Sequence, residues 1–425
     1  MISNLEVLNR LQTEKNPVKP KKITFLGLFG QQNLGNDCTL QAMIYNARKY
    51  LPDAEFRCIC SGHEDTSERH NISAFPMGAM SGKVFPGKNN TLLTLLRKVF
   101  VRITKEVLHG VRGFKILKGS DVLVAPGTGL LVDHTTGFRG YPYNVFKWSV
   151  IAKMCRCKLL FVSVGAGPIY HPLSRWFIRS ALSLAEYRSY RDTFSKQYIE
   201  RIGFDSNSDP VYPDLAFSLP SAMMTKRDHR SGQRPVIGVG VVDYYGQSGK
   251  LQRRGDDIYR DYVNKTAIFV TWLLEHNYSV RVLIGDVKYD SSVRQDLIEL
   301  LEKRGLKDDE GQIVNGTISS VEQLLSQLEK TDIVISPRFH NIILALMLNK
   351  PVISLSHHQK FDSLMAGLGL AEYCLHIENL NVDRLIEQFK KVAKNSEDLK
   401  PYIKRKTEEY RKALDEQYTF IFNDV

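Results

Sequence analysis

The chain has 425 residues, 43% hydrophobic and 24% charged, with a formal charge of +12 from 58 Lys and Arg against 46 Asp and Glu. That length exceeds one ordinary core and suits two domains of a globular protein. No apolar run approaches the roughly 20 residues that span a bilayer, and the N-terminus is not a secretory signal. The positive excess favours anionic partners. Nucleic acid is the poorest of them, because the cations are scattered and no helix-turn-helix, zinc or RNA-binding signature is present. Cys58 and Cys60, like Cys155 and Cys157, are one residue apart. Zinc knuckles need wider gaps, so these read as buried thiols of a cytoplasmic protein without a metal site.

Residues 1–21 are polar and end in Asn16-Pro17-Val18-Lys19-Pro20, a leader and linker. The first strand is Ile23 to Leu28. The turn after it, Gly30 to Gly35, leads into a helix carrying Leu40, Ile44 and Ala47, with Asn36 or Asp37 as its cap. Strand, Gly/Asn turn and helix open either a phosphate-binding unit or an ordinary βα unit. Glu55 to Ser61 is the second strand, and a loop runs from there to Asn90.

Thr91 to Gly119 predicts a basic amphipathic helix. Leu92, Leu95, Leu96, Val99, Phe100, Ile103 and Val107 share one face. Such a helix either packs that face on a sheet, as a crossover helix does, or lies on an anionic membrane. The crossover reading is favoured. Asp121 to Ala125 and Lys158 to Val164 are further strands. They end in Pro126-Gly127-Thr128-Gly129 and Gly165-Ala166-Gly167-Pro168, loops that line a shared cleft if the sheet is parallel. Tyr187 to Arg191 is the next strand, and Asp192 caps the helix behind it. Residues 223–234 are charged and mark the boundary between a domain of residues 22–228 and one of residues 229–395.

The second half repeats the alternation, with strands at Val236 to Val242, Val280 to Gly285 and Ile333 to Ile335. After the last comes Ser336-Pro337-Arg338-Phe339-His340, where strand gives way to helix. A fixed cation and a titratable imidazole there suit an anionic substrate that also receives a proton. Residues 396–425 form a final helix able to cross back. The whole predicts two doubly wound, Rossmann-like α/β domains facing each other.

Together the motifs resemble those of the polysaccharide pyruvyl transferase family. The pieces are Asn33-Leu34-Gly35, Pro126 to Leu130, Gly165 to Pro168, Arg191-Asp192 with Ser195, Pro213-Asp214-Leu215-Ala216-Phe217, Ser336 to His340, Lys350 to Ile353, and Lys360. The resemblance implies a glycosyltransferase-B-like fold with its active site between domains. It also implies phosphoenolpyruvate as co-substrate, no other cofactor, and a cell-surface or lipid-linked glycan as acceptor. Two features depart from the family pattern: Asn36 stands where Asp often follows the first glycine turn, and the Pro126 loop has fewer glycines.

For that reaction Arg338 and Arg191 are the candidate anion clamp and His340 the acid that protonates C3. Asp133 or Asp37 takes the hydroxyl proton. Gly127, Gly129, Gly165 and Gly167 bring backbone N–H groups to substrate. Asn33, Gly35, Thr128 and Lys360 complete the expected contacts. A nucleotide-sugar glycosyltransferase and a non-catalytic glycan-binding protein on the same frame are the competing readings.

Overall fold

The computed structural model describes residues 20–78, 92–134, 136–224, 234–246, 253–306 and 311–423. The leader up to residue 19 and the boundary segment 225–233 lie outside them, as do the side chains of residues 92–99.

The first half runs β1 (Lys22–Gly27), α1 (Leu34–Tyr50), β2 (Glu55–Cys60), α2 (His63–His70), β3 (Ser73–Pro76) and α3 (Leu92–Leu117). It continues with β4 (Val122–Pro126), α4 (Tyr141–Met154), β5 (Lys158–Val164), α5 (Pro172–Ser183), β6 (Tyr187–Tyr190) and α6 (Thr193–Arg201). The second half runs β7 (Val236–Gly240), α7 (Arg253–Glu275), β8 (Ser279–Leu283), α8 (Val287–Lys303), β9 (Ile313–Val314), α9 (Val321–Glu329) and β10 (Ile333–Ser336). Then follow α10 (Phe339–Met347), β11 (Val352–Ser356), α11 (Gln359–Gly367), β12 (Cys374–His376), α12 (Val382–Lys394) and α13 (Ser396–Asn423).

Each half holds one six-stranded sheet, ordered β3-β2-β1-β4-β5-β6 and β12-β11-β10-β7-β8-β9, and every pairing is parallel. In both, the chain starts mid-sheet, works to one edge, and returns beside its starting strand. The switch points therefore lie between β1 and β4 and between β7 and β10, where open α/β sheets bind ligands. β4, β10 and β11 are buried along their whole length. Helices cover both faces of a parallel sheet, so its strands read as unbroken apolar runs.

Three local expectations change. The segment read as a loop after Ser61 holds α2 and β3. α2 (HEDTSERH) buries only Thr66, so it has no apolar stripe to betray it. Acids in its first turn, bases in its last and an Arg69–Asp65 pair at 2.7 Å favour the helix instead. The cap of α1 is Asn33, whose side-chain oxygen accepts from the Asn36 N–H at 3.2 Å; neither Asn36 nor Asp37 caps it. Finally, α3 does not lay its apolar stripe on the sheet: Phe100, Ile103, Val107, Leu108 and Val111 are exposed. It packs through another face, with His109 edge-on to Trp148 and Gly113 against Trp148 and Ile151.

The halves meet at a seam. Leu34 N–H donates to Gly285 O at 3.0 Å and Val287 N–H to Gln32 O at 2.9 Å. α13 leaves the second half and binds the first: Tyr418 hydroxyl lies 2.8 Å from Ser218 Oγ, and Gln417 bonds Ser163 and Ser189.

Candidate active site

Arg338 is the N-cap residue of α10, directly beyond β10 at the second switch point. Its guanidinium donates to the Asp290 carboxylate, which is fully buried and also accepts the N–H groups of Gly285 and Asp286 at 2.9 Å each. Burial works against the Arg338 charge, but Asp290 and then Asp286 outweigh it, so the group is held cationic more firmly than an ordinary arginine. Its buried Nε has no hydrogen-bond partner among the described residues.

His340 stands one residue into α10 and faces the first half. Its Nε2 lies 3.7 Å from Asp214 Oδ1, a charge contact too long for a hydrogen bond. A Cβ on Gly35 would fall 2.0 Å from His340 Nδ1, so only glycine at that point of α1 admits the ring.

Asp214 ties the site together. It follows Pro213 and caps a single 3-10 turn, Leu215–Ser218, by accepting the Ala216 N–H at 3.0 Å. Its other oxygen takes the Arg191 Nη1 at 3.4 Å. Burial alone would raise its pKa; His340, Arg191 and the Ala216 N–H reverse that and hold it below the usual carboxylate value. Arg191, just beyond β6, also reaches Asp192 at 3.4 Å. Gly165 makes room for it, since a Cβ there would lie 2.7 Å from the Arg191 Cζ.

Lys360, in the first turn of α11, completes the group. Its Nζ and the Arg191 Cζ each lie 5.2 Å from the centre of the Phe339 ring, within cation–π reach. Burial, then Arg191 and Arg338, push its pKa down to about 7, against a weaker pull from Asp214 and Asp192. A cavity of about 770 Å³ opens between the halves, lined by Arg191, Asp192 and Asp214 from one and Phe339, Lys360 and Asp362 from the other. That volume lies within the range of small-molecule sites. Arg338 and His340 are not among its lining residues. Arg338 bears on it through Lys360, and His340 through Asp214.

The remaining predicted residues divide. Asp133 does not stand free as a base: its carboxylate accepts the N–H groups of Tyr170, at 2.9 and 3.0 Å, and His171, at 2.8 Å. Asp37 keeps one buried oxygen unpartnered among the described residues, and burial, opposed by Arg69 and the Gly30 N–H, lifts its pKa to about 6. Three glycine N–H groups expected at substrate are spent within the fold: Gly127 on Val162 O at 2.8 Å, Gly165 on Thr128 O at 3.2 Å, Gly167 on Leu131 O at 2.9 Å. Among the described residues, a Cβ on Gly129 would meet nothing within 4 Å, and the buried Thr128 hydroxyl has no partner. Asn33 is occupied at the seam, donating its side-chain amide to Asp286 at 3.1 Å. Asp214 is the residue the sequence reading left without a role, although Pro213 to Phe217 was among the matching motifs. Its signal was an acid set directly before the apolar run Leu215-Ala216-Phe217, which must be capped or paired once buried.

The architecture defines a class. A glycosyltransferase from Rickettsia africae superposes with a TM-score of 0.56, at 12% identity, over 96% of this chain and 98% of that one. A UDP-GlcNAc 2-epimerase from Methanocaldococcus jannaschii gives 0.54 at 12% identity, over 87% and 92%. A lipopolysaccharide outer core galactosyltransferase gives 0.51 at 13% identity, over 95% and 100%. The fold is thus that of the two-domain glycosyltransferase-B enzymes. No curated protein sequence matches the chain. The family described as polysaccharide pyruvyl transferase matches residues 33–359, and the chain belongs to it. It is a transferase that modifies a polysaccharide.

Proposed function

We propose that the chain transfers the three-carbon unit of phosphoenolpyruvate to two hydroxyls of one glycan sugar, giving a pyruvate ketal and phosphate. Two C–O bonds form at C2 and the C2–O–phosphate bond breaks. Of the two hydroxyl protons lost, C3 gains the equivalent of one, and the other leaves with phosphate. Arg191 and Lys360 hold the donor's carboxylate and phosphate, because both line the cavity, Arg191 as a fixed cation and Lys360 as one that gains its proton with the anion. Arg338 is already engaged by Asp290 through Nη2, so it adds positive potential, and its Nε is without a partner among the described residues. His340, behind Asp214 in this structure, delivers the proton to C3 once it swings past Asp214 to the cavity wall. Asp37, with a pKa of about 6 and an oxygen without a partner among the described residues, is the better base for a hydroxyl proton than Asp133, whose oxygens are taken by backbone N–H groups.

The observation that carries this reading is Asp214 itself. One buried carboxylate touches both a cavity-lining guanidinium and an imidazole from the opposite half. That arrangement supports anion binding and proton delivery at one place. The test is calorimetric titration with phosphoenolpyruvate, with uridine diphosphate and phosphate as controls. Selective binding of phosphoenolpyruvate, weakened at least tenfold in Arg191→Ala, is expected. Selective binding of the nucleotide would move the enzyme to the sugar-nucleotide transferases, and binding of neither donor would leave the glycan-binding reading.

A further inference from the structure

α3 presents an apolar stripe that nothing covers among the described residues. Phe100 is 71% exposed and Val107 59%, and Ile103, Leu108, Val111 and Phe114 continue the stripe. Single exposed apolar residues are ordinary, but a contiguous run of six is not. The stripe lies opposite the His109–Gly113–Leu117 side, which packs inward. Among the described residues it meets none of the protein's own core.

Its surroundings continue the pattern. Between α3, α4 and α5 lies an apolar recess of about 820 Å³, lined by Ile103, Val107, Phe138, Tyr143, Phe146 and Phe177. At its edge Trp176 is 54% exposed and lies 5.1 Å from Phe146 and 5.3 Å from Phe177, ring centre to ring centre. An exposed tryptophan at the rim of an apolar surface is the composition of a membrane–water boundary.

Charge selects the occupant. Residues 92–118 carry seven cations, Arg97, Lys98, Arg102, Lys105, Arg112, Lys115 and Lys118, against one acid, Glu106. Glu106 is paired with Lys147 at 3.2 Å, and Lys105, Arg112, Lys115 and Lys118 are exposed. Protein interfaces are depleted in lysine, whereas an anionic leaflet attracts it. Among the described residues no helix is long and apolar enough to cross a membrane, so α3 would lie in the plane of the surface. Phe138, on the recess wall, follows Asp133 and His134 on the loop after β4.

We infer that α3 and the adjoining edge of α5 dock on an anionic bilayer, the apolar stripe entering the acyl boundary and the lysines meeting phosphate headgroups. The docking does not depend on which donor the enzyme uses, and it is measured without substrate. The purified full chain is sedimented with phosphatidylcholine vesicles, with and without phosphatidylglycerol. Binding to the anionic vesicles, weakened by salt and roughly fivefold for each of Lys105, Arg112 and Lys115 changed to Gln, is expected. Val107→Glu with Val111→Glu should abolish it with an unchanged melting temperature, since both side chains are exposed. The blue shift of tryptophan emission on binding should vanish in Trp176→Phe. Wild-type protein left in the supernatant at low salt, equal binding to neutral vesicles, or a Glu variant that sediments like wild type would overturn the inference. So would a dimer in light scattering that the same Glu pair dissociates, because the stripe would then belong to a second copy.

Discussion

Lys360 has its unusual acidity because burial and two neighbouring arginines all oppose its charge. The unfolded side chain holds its proton to about pH 10.5, the folded one only to about 7. The protonated lysine therefore costs the fold stability. That cost is complete below pH 7, shrinks as pH rises, and is gone above about 10.5. A bound anion would reverse the balance and restore the proton. Phosphoenolpyruvate binding at pH 8 should thus take up protons, seen as a dependence of the binding heat on the buffer's ionisation enthalpy. Donor affinity should also weaken as pH rises through 7. In Lys360→Met the proton uptake should disappear. Uptake that persists in the variant would place the titrating group elsewhere.

At the scale of elements, the first turn of α1 shows a site residue acting by what it lacks. Alanine is a better helix former than glycine by about 1 kcal/mol, so Gly35→Ala should not weaken α1 itself. The added methyl would overlap the His340 ring. Turnover should fall on the order of a hundredfold, as expected when a reacting group is displaced by about an ångström, with helix content unchanged. In a His340→Ala background the same change should cost little, and a full additive loss would separate Gly35 from His340. The alternation of strands and helices was readable because buried parallel strands are unbroken apolar runs, and Arg338 and His340 were readable because they stand where such a run stops. α2 was not, since its support is electrostatic. α3 was read as an amphipathic helix, but its pattern does not say what covers the apolar side: the stripe is the same on a sheet or in open solvent. The glycine loops were legible as loops, but a sequence does not record that the N–H groups of Gly127, Gly165 and Gly167 are already bonded.

Over the whole molecule, the two sheets are held by more than the seam at Asn33 and Asp286. Gln41 donates to Glu322 at 2.8 Å and Arg69 to the Ser319 carbonyl at 2.8 Å, both across the halves. The larger tie is α13. Gln417 is fully buried; it accepts from Ser163 at 3.0 Å and donates to Ser189 at 2.7 Å, beneath β5 and β6. Gln417→Ala would take the acceptor from the buried Ser163 hydroxyl, while Ser189 keeps the Ser163 N–H at 2.8 Å, at about 1–3 kcal/mol. Hydrogen exchange should then accelerate in β5 and β6 while β10 and β11 stay protected. Equal acceleration in both sheets would mean that α13 stabilises the molecule as one unit.

That helix also fixes an order of events. Ser189 emerges from the ribosome 228 residues before the glutamine that satisfies it. Tyr418 comes 200 residues after Ser218. The first sheet is translated early and waits, its pairing complete but its last polar partners unmade, until nearly the whole chain has been synthesised. A nascent chain stalled before α13 would expose that deficit in the half that was made first, and a premature stop near residue 395 would injure the fold at its beginning.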